Sequence, residues 1–205
     1  MKNFKHDFIF NNKKYEMFYH PYNFTWENER CVEVPIVYQH LRESLNCASS
    51  ELVKVLEVGN VFGIYTNYHH DIVDKYGNQS NIIKKDIFEY NPTSKYDFIF
   101  SISTLEHIGF DDYVSCDKLV DSVDYIKNLL APGGKFVVTL PLGFQSVTKH
   151  LLDNSLKFDS FSFIKKTSIY NDWIQTNYDD AVTIQYGTPF PCANCICIAE
   201  YNKPF

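Results

Sequence analysis

Glycines and polar side chains follow four short apolar runs, at the places where strands of a sheet would end. They are, in chain order, Glu57, Gly59, Asn60 and Gly63, then Asp74, then Asp86 and Ile87, then Ser101, Ile102 and Ser103. A glycine lets the backbone approach a ligand, and a carboxylate accepts hydrogen bonds from ribose hydroxyls or from the amino group of adenine. The pattern predicts a binding site for an adenosine.

Strands that alternate with helices must position these residues, because apolar β-rich runs alternate with amphipathic segments from residue 50 onward. The predicted strands span residues 52–58, 70–74, 81–86, 96–102, 135–140, 158–164 and 195–201, and the predicted helices span 111–130 and 146–152. Ala131-Pro-Gly-Gly134 ends the first of these helices. The order predicts an α/β fold with a doubly wound, mostly parallel seven-stranded sheet, whose ligand lies at the carboxyl ends of the strands.

Residues 1–50 lie outside this alternation and are rich in aromatic and polar side chains, with a helix predicted over 32–45. We expect them to form a flap over the binding edge of the sheet. The length of 205 residues fits a single domain overall, with residues 51–205 forming its main part.

Charge and hydropathy exclude several classes of protein. A formal net charge of −6 and a pI near 5.6 disfavour nucleic acid as a partner. Apolar runs stay shorter than the roughly 18 residues that a membrane span needs, and the first residues lack the apolar stretch of a secretion signal. These features predict a soluble cytoplasmic protein without membrane contact.

The six cysteines are irregularly spaced, and we expect reduced thiols. Cys192 and Cys195 have a spacing found in zinc sites, but a second ligand pair is not visible, and the segment is interpreted as the start of a buried strand. His69 and His70 are also interpreted as structural, so no metal site is predicted.

Three stretches between about residues 52 and 142 resemble motifs of the class I S-adenosylmethionine-dependent methyltransferases. Val55 to Gly63 resembles the glycine-rich first motif, and Tyr96 to Ile108, with its Leu-Glu-His ending, resembles the fourth-strand motif. Leu130 to Pro141 resembles the junction between a helix and the fifth strand. Each stretch alone recurs in many α/β proteins, whereas their order and spacing make the set specific.

The resemblance implies a Rossmann-like domain over residues 51–205 that binds S-adenosylmethionine and releases S-adenosylhomocysteine. It implies Gly59 and its neighbours under the methionine part, Asp74 on the ribose, Asp86 and Ile87 on the adenine, and Ser101 and Ile102 near the sulfonium.

The first motif departs from the usual pattern in two ways. Val61 stands where a middle glycine is usual, and only residues 64–69 separate Gly63 from the second strand, so the first helix is truncated or absent. The group that holds the methionine carboxylate is left open, with Arg30 as one candidate. The rival ligand NAD would need Gly-x-Gly-x-x-Gly at the start of a helix, and the two glycines here favour an adenosine without phosphates.

Methyl transfer requires an aligned acceptor and, for an oxygen acceptor, removal of its proton. His107 is the first candidate base, because it follows the fourth strand at the binding edge. It can equally cap or pack the following helix, and Glu106 beside it is also open to a structural interpretation. Tyr22 is the second catalytic candidate. It lies in the segment 20–30, which forms either an acceptor pocket or an aromatic cluster capping the sheet, with residues 187–192 as the opposite wall.

By analogy with stand-alone enzymes of this kind, the expected activity is methyl transfer to a small polar acceptor, such as an oxygen of a sugar or a surface-glycan precursor. The alternative is a non-catalytic module that binds adenosine or S-adenosylmethionine and regulates a glycan-pathway partner.

Overall fold

A computed structural model describes residues 5–47, 53–110 and 117–205. Within these ranges the strands are β1 (Asp7–Phe10), β2 (Lys13–Glu16), β3 (Val55–Val58), β4 (Asp71–Val73), β5 (Tyr96–Ile102), β6 (Leu130–Pro141), β7 (Ser160–Lys166), β8 (Trp173–Thr176) and β9 (Cys195–Asn202). The helices are α1 (Arg30–Cys47), α2 (Phe62–Tyr65), α3 (Leu119–Leu129), α4 (Val147–Leu152) and α5 (Tyr178–Ala181).

Seven strands form one sheet in the order β4-β3-β5-β6-β9-β7-β8, and β1 and β2 form a separate hairpin. The four strands β4, β3, β5 and β6 pair in parallel, whereas β9 pairs antiparallel with β6 and β7, and β8 pairs antiparallel with β7. The strands β3 to β7 therefore run in one direction and β8 and β9 in the other. This arrangement confirms the predicted α/β class and its mostly parallel seven-stranded sheet.

One predicted strand is wrong, and another takes its place in the count. Residues 81–86 contribute only an isolated parallel bridge between Ile83 and Val73. The run lies beyond β4 at the edge of the sheet, where Lys84 and Lys85 are exposed to solvent and pairing does not extend past this one bridge. The seventh strand is instead β8, at the opposite edge. Two parts of the predicted elements lie outside the described residues. They are residues 111–116, at the start of the predicted long helix, and Leu52, at the start of the first predicted strand.

Helices cover both faces of the sheet because successive side chains of a strand point to opposite sides. Phe98 and Phe100 of β5 belong to the core that includes α1, whereas Ile99 between them belongs to the core that includes α3. Helix α1 is thus one layer of the fold, packed on a face of the sheet. The division of the chain into residues 1–50 and 51–205 stays a prediction.

Two local features agree with the sequence analysis. The helix after the glycine-rich loop is only four residues long, as the short spacing after Gly63 predicts. Cys195 and Cys197 lie buried at the start of β9, as expected for thiols packed in a strand. Among the described residues, no helix has the length and apolar character needed to span a bilayer.

Candidate functional site

A cavity of about 230 Å³ lies at the carboxyl ends of β3, β4 and β5. The sequence-predicted residues that line it are Gly59, Asp74, Asp86, Ile87, Ser103 and His107. Lining residues that the sequence analysis did not single out include Lys75, Tyr76, Thr104 and Ile108. The cavity therefore brings together residues from four loops that are far apart in sequence, at the edge where an open α/β sheet binds its ligands.

Gly59 is required at the floor of the cavity for a steric reason. Its φ angle is +87°, and a Cβ atom at this position would lie 2.4 Å from Oγ1 of Thr104. Its N–H donates a hydrogen bond of 2.8 Å to the carbonyl of Val73. A side chain at position 59 would therefore push apart the loops that follow β3 and β5.

Glu57 holds the glycine-rich loop in shape from below. Its side chain is buried, and Oε1 accepts hydrogen bonds from the N–H groups of Val61 at 2.7 Å and Phe62 at 2.6 Å. Its Oε2 accepts from the N–H of Gly63 at 3.0 Å and lies 2.8 Å from Nε2 of His70. The carboxylate thus satisfies the first donors of the short helix α2, and it does not border the cavity.

Gly63, like Glu57, shapes the glycine-rich loop without lining the cavity. A Cβ atom there would lie 2.5 Å from Cδ1 of Ile72 and 2.7 Å from Oδ1 of Asn60. Asn60 borders a neighbouring cavity of about 290 Å³, together with Asp74 and Tyr76, and its buried Oδ1 lacks a hydrogen-bond partner among the described residues.

Asp74 and Asp86 are oriented by hydrogen bonds from the backbone. Oδ1 of Asp74 accepts from the N–H groups of Tyr76 and Gly77, each at 2.8 Å. Oδ1 of Asp86 accepts from the N–H of Phe88 at 3.1 Å, and its Oδ2 lies 3.3 Å from Nζ of Lys75. Both carboxylates are thereby fixed against the cavity before any ligand arrives.

The three predicted residues at the end of β5 have different positions. Ser101 and Ile102 are buried and do not line the cavity, and Oγ of Ser101 donates to the carbonyl of Val58 at 2.7 Å. Ser103 does line it, with a φ angle of +36° and with Oγ donating to Glu33 at 2.5 Å. The chain therefore turns sharply at Ser103, where the strand meets the site.

A second pocket of about 100 Å³ adjoins the first, since Ser103 and His107 line both. Its other lining residues are Glu29, Arg30, Glu106, Pro141, Phe144 and Tyr186. The ring of Phe144 has its centroid 5.0 Å from that of His107 and 4.9 Å from that of Tyr186. One side of the pocket is therefore aromatic and the other is charged.

The guanidinium of Arg30 at this pocket interacts with three carboxyl groups, those of Glu29, Glu33 and Glu106. Arg30 is paired with Glu33 and lies 3.7 Å from Glu29, and these carboxylates raise the pKa of Arg30 although burial acts to lower it. Burial raises the pKa of Glu33, which accepts a hydrogen bond of 2.7 Å from Thr139. Because the charge of Arg30 is already balanced, the structure gives little support to Arg30 as the partner of a methionine carboxylate.

Glu106 is the carboxyl group of this cluster with an unsatisfied oxygen. Its side chain is 1% exposed, and its Oε2 has no hydrogen-bond partner among the described residues. Burial raises its pKa to about 8. A buried carboxyl oxygen without a partner is costly, and such groups are found where a ligand binds.

The two predicted catalytic residues lie apart. His107 borders both cavities, with 43% of its side chain exposed. Tyr22 is 55% exposed, packs its ring against Tyr65 at 6.0 Å and borders neither cavity. A catalytic role for Tyr22 stays a prediction. Tyr186 is the tyrosine at the pocket, and its position next to the predicted wall 187–192 is the signal that could have identified it.

Among the described residues, no group of three or more histidine, cysteine, aspartate or glutamate side chains is arranged to hold a metal ion. His70 has a structural setting, because its Nδ1 lies 2.8 Å from the carbonyl oxygen of Tyr68 and its Nε2 faces Glu57.

The chain resembles solved structures of methyltransferases. The N-methyltransferase NodS from Bradyrhizobium japonicum WM9 in complex with S-adenosylhomocysteine has a TM-score of 0.50 and 15% identity, covering 82% of this chain and 85% of that chain. A second crystal structure of NodS has a TM-score of 0.48 and 16% identity, over 82% and 94% of the two chains. A methyltransferase from Archaeoglobus fulgidus has a TM-score of 0.46 and 14% identity, over 80% and 93%.

No family model and no curated protein sequence matches the chain. The similarity to NodS in complex with S-adenosylhomocysteine, together with the strand order, shows that the chain has the fold of the class I methyltransferases. The fold predicted from the three sequence motifs is confirmed.

Proposed function

We propose that this protein is an S-adenosylmethionine-dependent methyltransferase that acts on a small polar acceptor. The observation that carries the proposal is the cavity of about 230 Å³ at the strand ends, where Gly59, Asp74, Asp86 and His107 meet in a class I methyltransferase fold. S-adenosylmethionine supplies an electrophilic methyl group on a sulfonium, so the protein mainly has to bind, align and remove a proton.

The residues of the 230 Å³ cavity fit an adenosine without phosphates. Asp74 holds the ribose hydroxyls through Oδ2, because Oδ1 already accepts two backbone hydrogen bonds. Asp86 and Ile87 hold the adenine, with Ile87 as an apolar wall. Gly59 leaves room for the methionine part, and Glu57 and Gly63 support it by shaping the loop.

His107 is the proposed catalytic base because it lies where the two cavities meet. An acceptor hydroxyl at this junction faces the methyl donor in the 230 Å³ cavity. It also faces the imidazole of His107, which takes its proton. The proposed acceptor is an oxygen of a sugar or of a surface-glycan precursor. An acceptor bound by hydrogen bonds matches the polar side chains of Ser103 and Glu106 at this place.

Calorimetric titration with S-adenosylmethionine, S-adenosylhomocysteine and NAD tests the cofactor assignment. We expect the first two to bind and NAD not to bind, because the helix after Gly59 is only four residues long and its first N–H groups already donate to Glu57, so they are not available to a pyrophosphate. Binding of NAD alone, or of none of the three, would contradict the proposal.

An acceptor screen with mass-spectrometric detection of the transferred methyl group tests the activity. His107→Ala is expected to lower the turnover of the best sugar acceptor by about 100-fold or more while the affinity for S-adenosylhomocysteine stays within about twofold. Tyr22→Phe tests the second candidate in the same assay. Cofactor binding without turnover of any acceptor would favour the alternative of a non-catalytic regulatory module.

A further inference from the structure

We propose that the pocket between Glu106, Phe144 and Tyr186 binds an ammonium group of the acceptor, which is therefore an amino sugar or another amino alcohol. This inference rests on the proposed function and names the substrate class more closely. The ammonium group is an anchor, and the hydroxyl that His107 activates belongs to the same molecule.

The chemistry of the pocket walls suits a cation. Glu29 and Glu106 contribute carboxyl groups to its lining, and Phe144 and Tyr186 contribute two neighbouring aromatic rings. Carboxylates attract an ammonium group directly, and the faces of aromatic rings attract it through their quadrupole. A neutral hydroxyl gains from neither of these interactions to the same degree.

One carboxyl group of the pocket lacks a hydrogen-bond partner from the described residues. The described cation at its wall is Arg30, and Arg30 is engaged by Glu33 and Glu29. Glu106 lines the pocket, and its buried Oε2 has no hydrogen-bond partner among the described residues. An ammonium group provides the missing hydrogen-bond donor, and its positive charge compensates the carboxylate that forms when Glu106 loses its proton.

The size of the pocket agrees with this occupant. Its volume of about 100 Å³ holds roughly three groups of the size of a water molecule. It therefore accepts an ammonium group with one or two carbon atoms, while the rest of the acceptor extends toward His107. A divalent metal ion is a poorer occupant, because the described residues do not supply three metal ligands at one place.

Ammonium binding should release a proton near neutral pH. Burial raises the pKa of Glu106 to about 8, so this carboxyl group is largely protonated at pH 7 before the ligand binds. The titratable and charged groups that face it are Glu29, Arg30, Glu33, His107 and Tyr186. A bound cation favours the ionised carboxylate and displaces its proton.

Matched ligand pairs test the inference on the full chain. Ethanolamine is compared with ethylene glycol, and glucosamine with glucose, by calorimetry at pH 7 with and without saturating S-adenosylhomocysteine. We expect each amine to bind about tenfold or more tightly than its hydroxyl partner. We also expect the amine to bind as well or better when S-adenosylhomocysteine is present. Repeating the titrations in two buffers of different ionisation enthalpy measures the released proton.

Two variants and a control assign the effect to the pocket. Glu106→Gln is expected to reduce the preference for amines to about threefold or less and to abolish proton release. Phe144→Leu is expected to weaken amine binding about two- to fivefold without changing proton release. The control Glu16→Gln replaces an exposed glutamate of β2 and should leave all values unchanged. Because Phe144→Leu removes no charge, it tests the pocket even if Glu106→Gln fails to fold.

Several results would overturn the inference. They are equal affinity within both ligand pairs, no binding of either amine up to about 50 mM, or amine preference unchanged in both variants. Competition between S-adenosylhomocysteine and the amines would assign the pocket to the cofactor's own amino group. Failure of S-adenosylhomocysteine to bind would contradict the proposed function instead, and the titrations without it would still test the ammonium pocket.

Discussion

Replacement of Glu57 by glutamine tests whether this buried carboxylate holds the glycine-rich loop. The amide keeps the volume of the side chain but converts one acceptor oxygen into an NH2 group. In one orientation the NH2 group faces the N–H of Gly63, and in the other it faces the N–H groups of Val61 and Phe62. At least one backbone donor therefore loses its acceptor in either orientation.

The expected loss follows from the energy of a hydrogen bond to a charged group, which is about 1.5–3 kcal/mol. For one or two lost bonds we expect the free energy of unfolding of Glu57→Gln to fall by about 2–4 kcal/mol. In a chain of this length the melting temperature then falls by roughly 5–15 °C. Denaturant unfolding followed by circular dichroism measures the change, and titration with S-adenosylhomocysteine measures the effect on the cavity floor.

Glu16→Gln is the matched control, because Glu16 is exposed and its replacement is expected to change stability by less than about 0.5 kcal/mol. If Glu57→Gln unfolds at the same denaturant concentration as this control, Glu57 does not hold the loop and the reasoning is refuted.

Three further variants test Gly59 at the floor of the cavity, the contact of Asp74 with the ribose, and the buried carboxyl group of Glu106. Gly59→Ala should destabilise the protein more than Gly187→Ala, because both positions have positive φ angles but only the Cβ atom at position 59 meets Thr104; equal unfolding free energies would contradict the steric argument. Asp74→Asn should weaken binding of S-adenosylhomocysteine about 10- to 100-fold in calorimetry, and unchanged affinity would remove Asp74 from the site. For Glu106 the raised pKa means that the folded state holds an extra proton between about pH 5 and 8, so stability falls as the pH rises by up to about 1.4 kcal/mol per unit; Glu106→Gln should lose this slope in unfolding measured at pH 6, 7 and 8, and an unchanged slope would show that another group causes it.

The inner strands of the sheet could be predicted because they are buried on both faces and their sequences are therefore mostly apolar. The strand β5 reads as a nearly continuous apolar run, and the structure places it between two parallel neighbours with the bounds predicted. The edge strand β8 could not be predicted, because Ile174 and Gln175 are exposed and the segment lacks an apolar signature. Its position depends on pairing with β7, which the local sequence does not encode.

The cofactor cavity could be predicted in part for a similar reason. Residues directly after strands, such as Asp74 and Asp86, meet at one edge whatever the details of the loops. The roles of buried neighbours such as Glu57 and Ser101 could not be told from those of cavity residues, since adjacent positions can point to opposite sides. The second pocket joins Glu29, Glu106 and Tyr186 from three distant segments, and only the folded chain brings them together.

The place of β9 in the sheet has a consequence for synthesis on the ribosome. This strand comes last of the seven in the chain, yet it lies between β6 and β7 and pairs with both. The hairpin of β7 and β8 therefore has no partner in the sheet until residues 195–202 have left the exit tunnel. We expect the nascent chain to remain protease-sensitive until then, and to gain resistance in one late step rather than strand by strand.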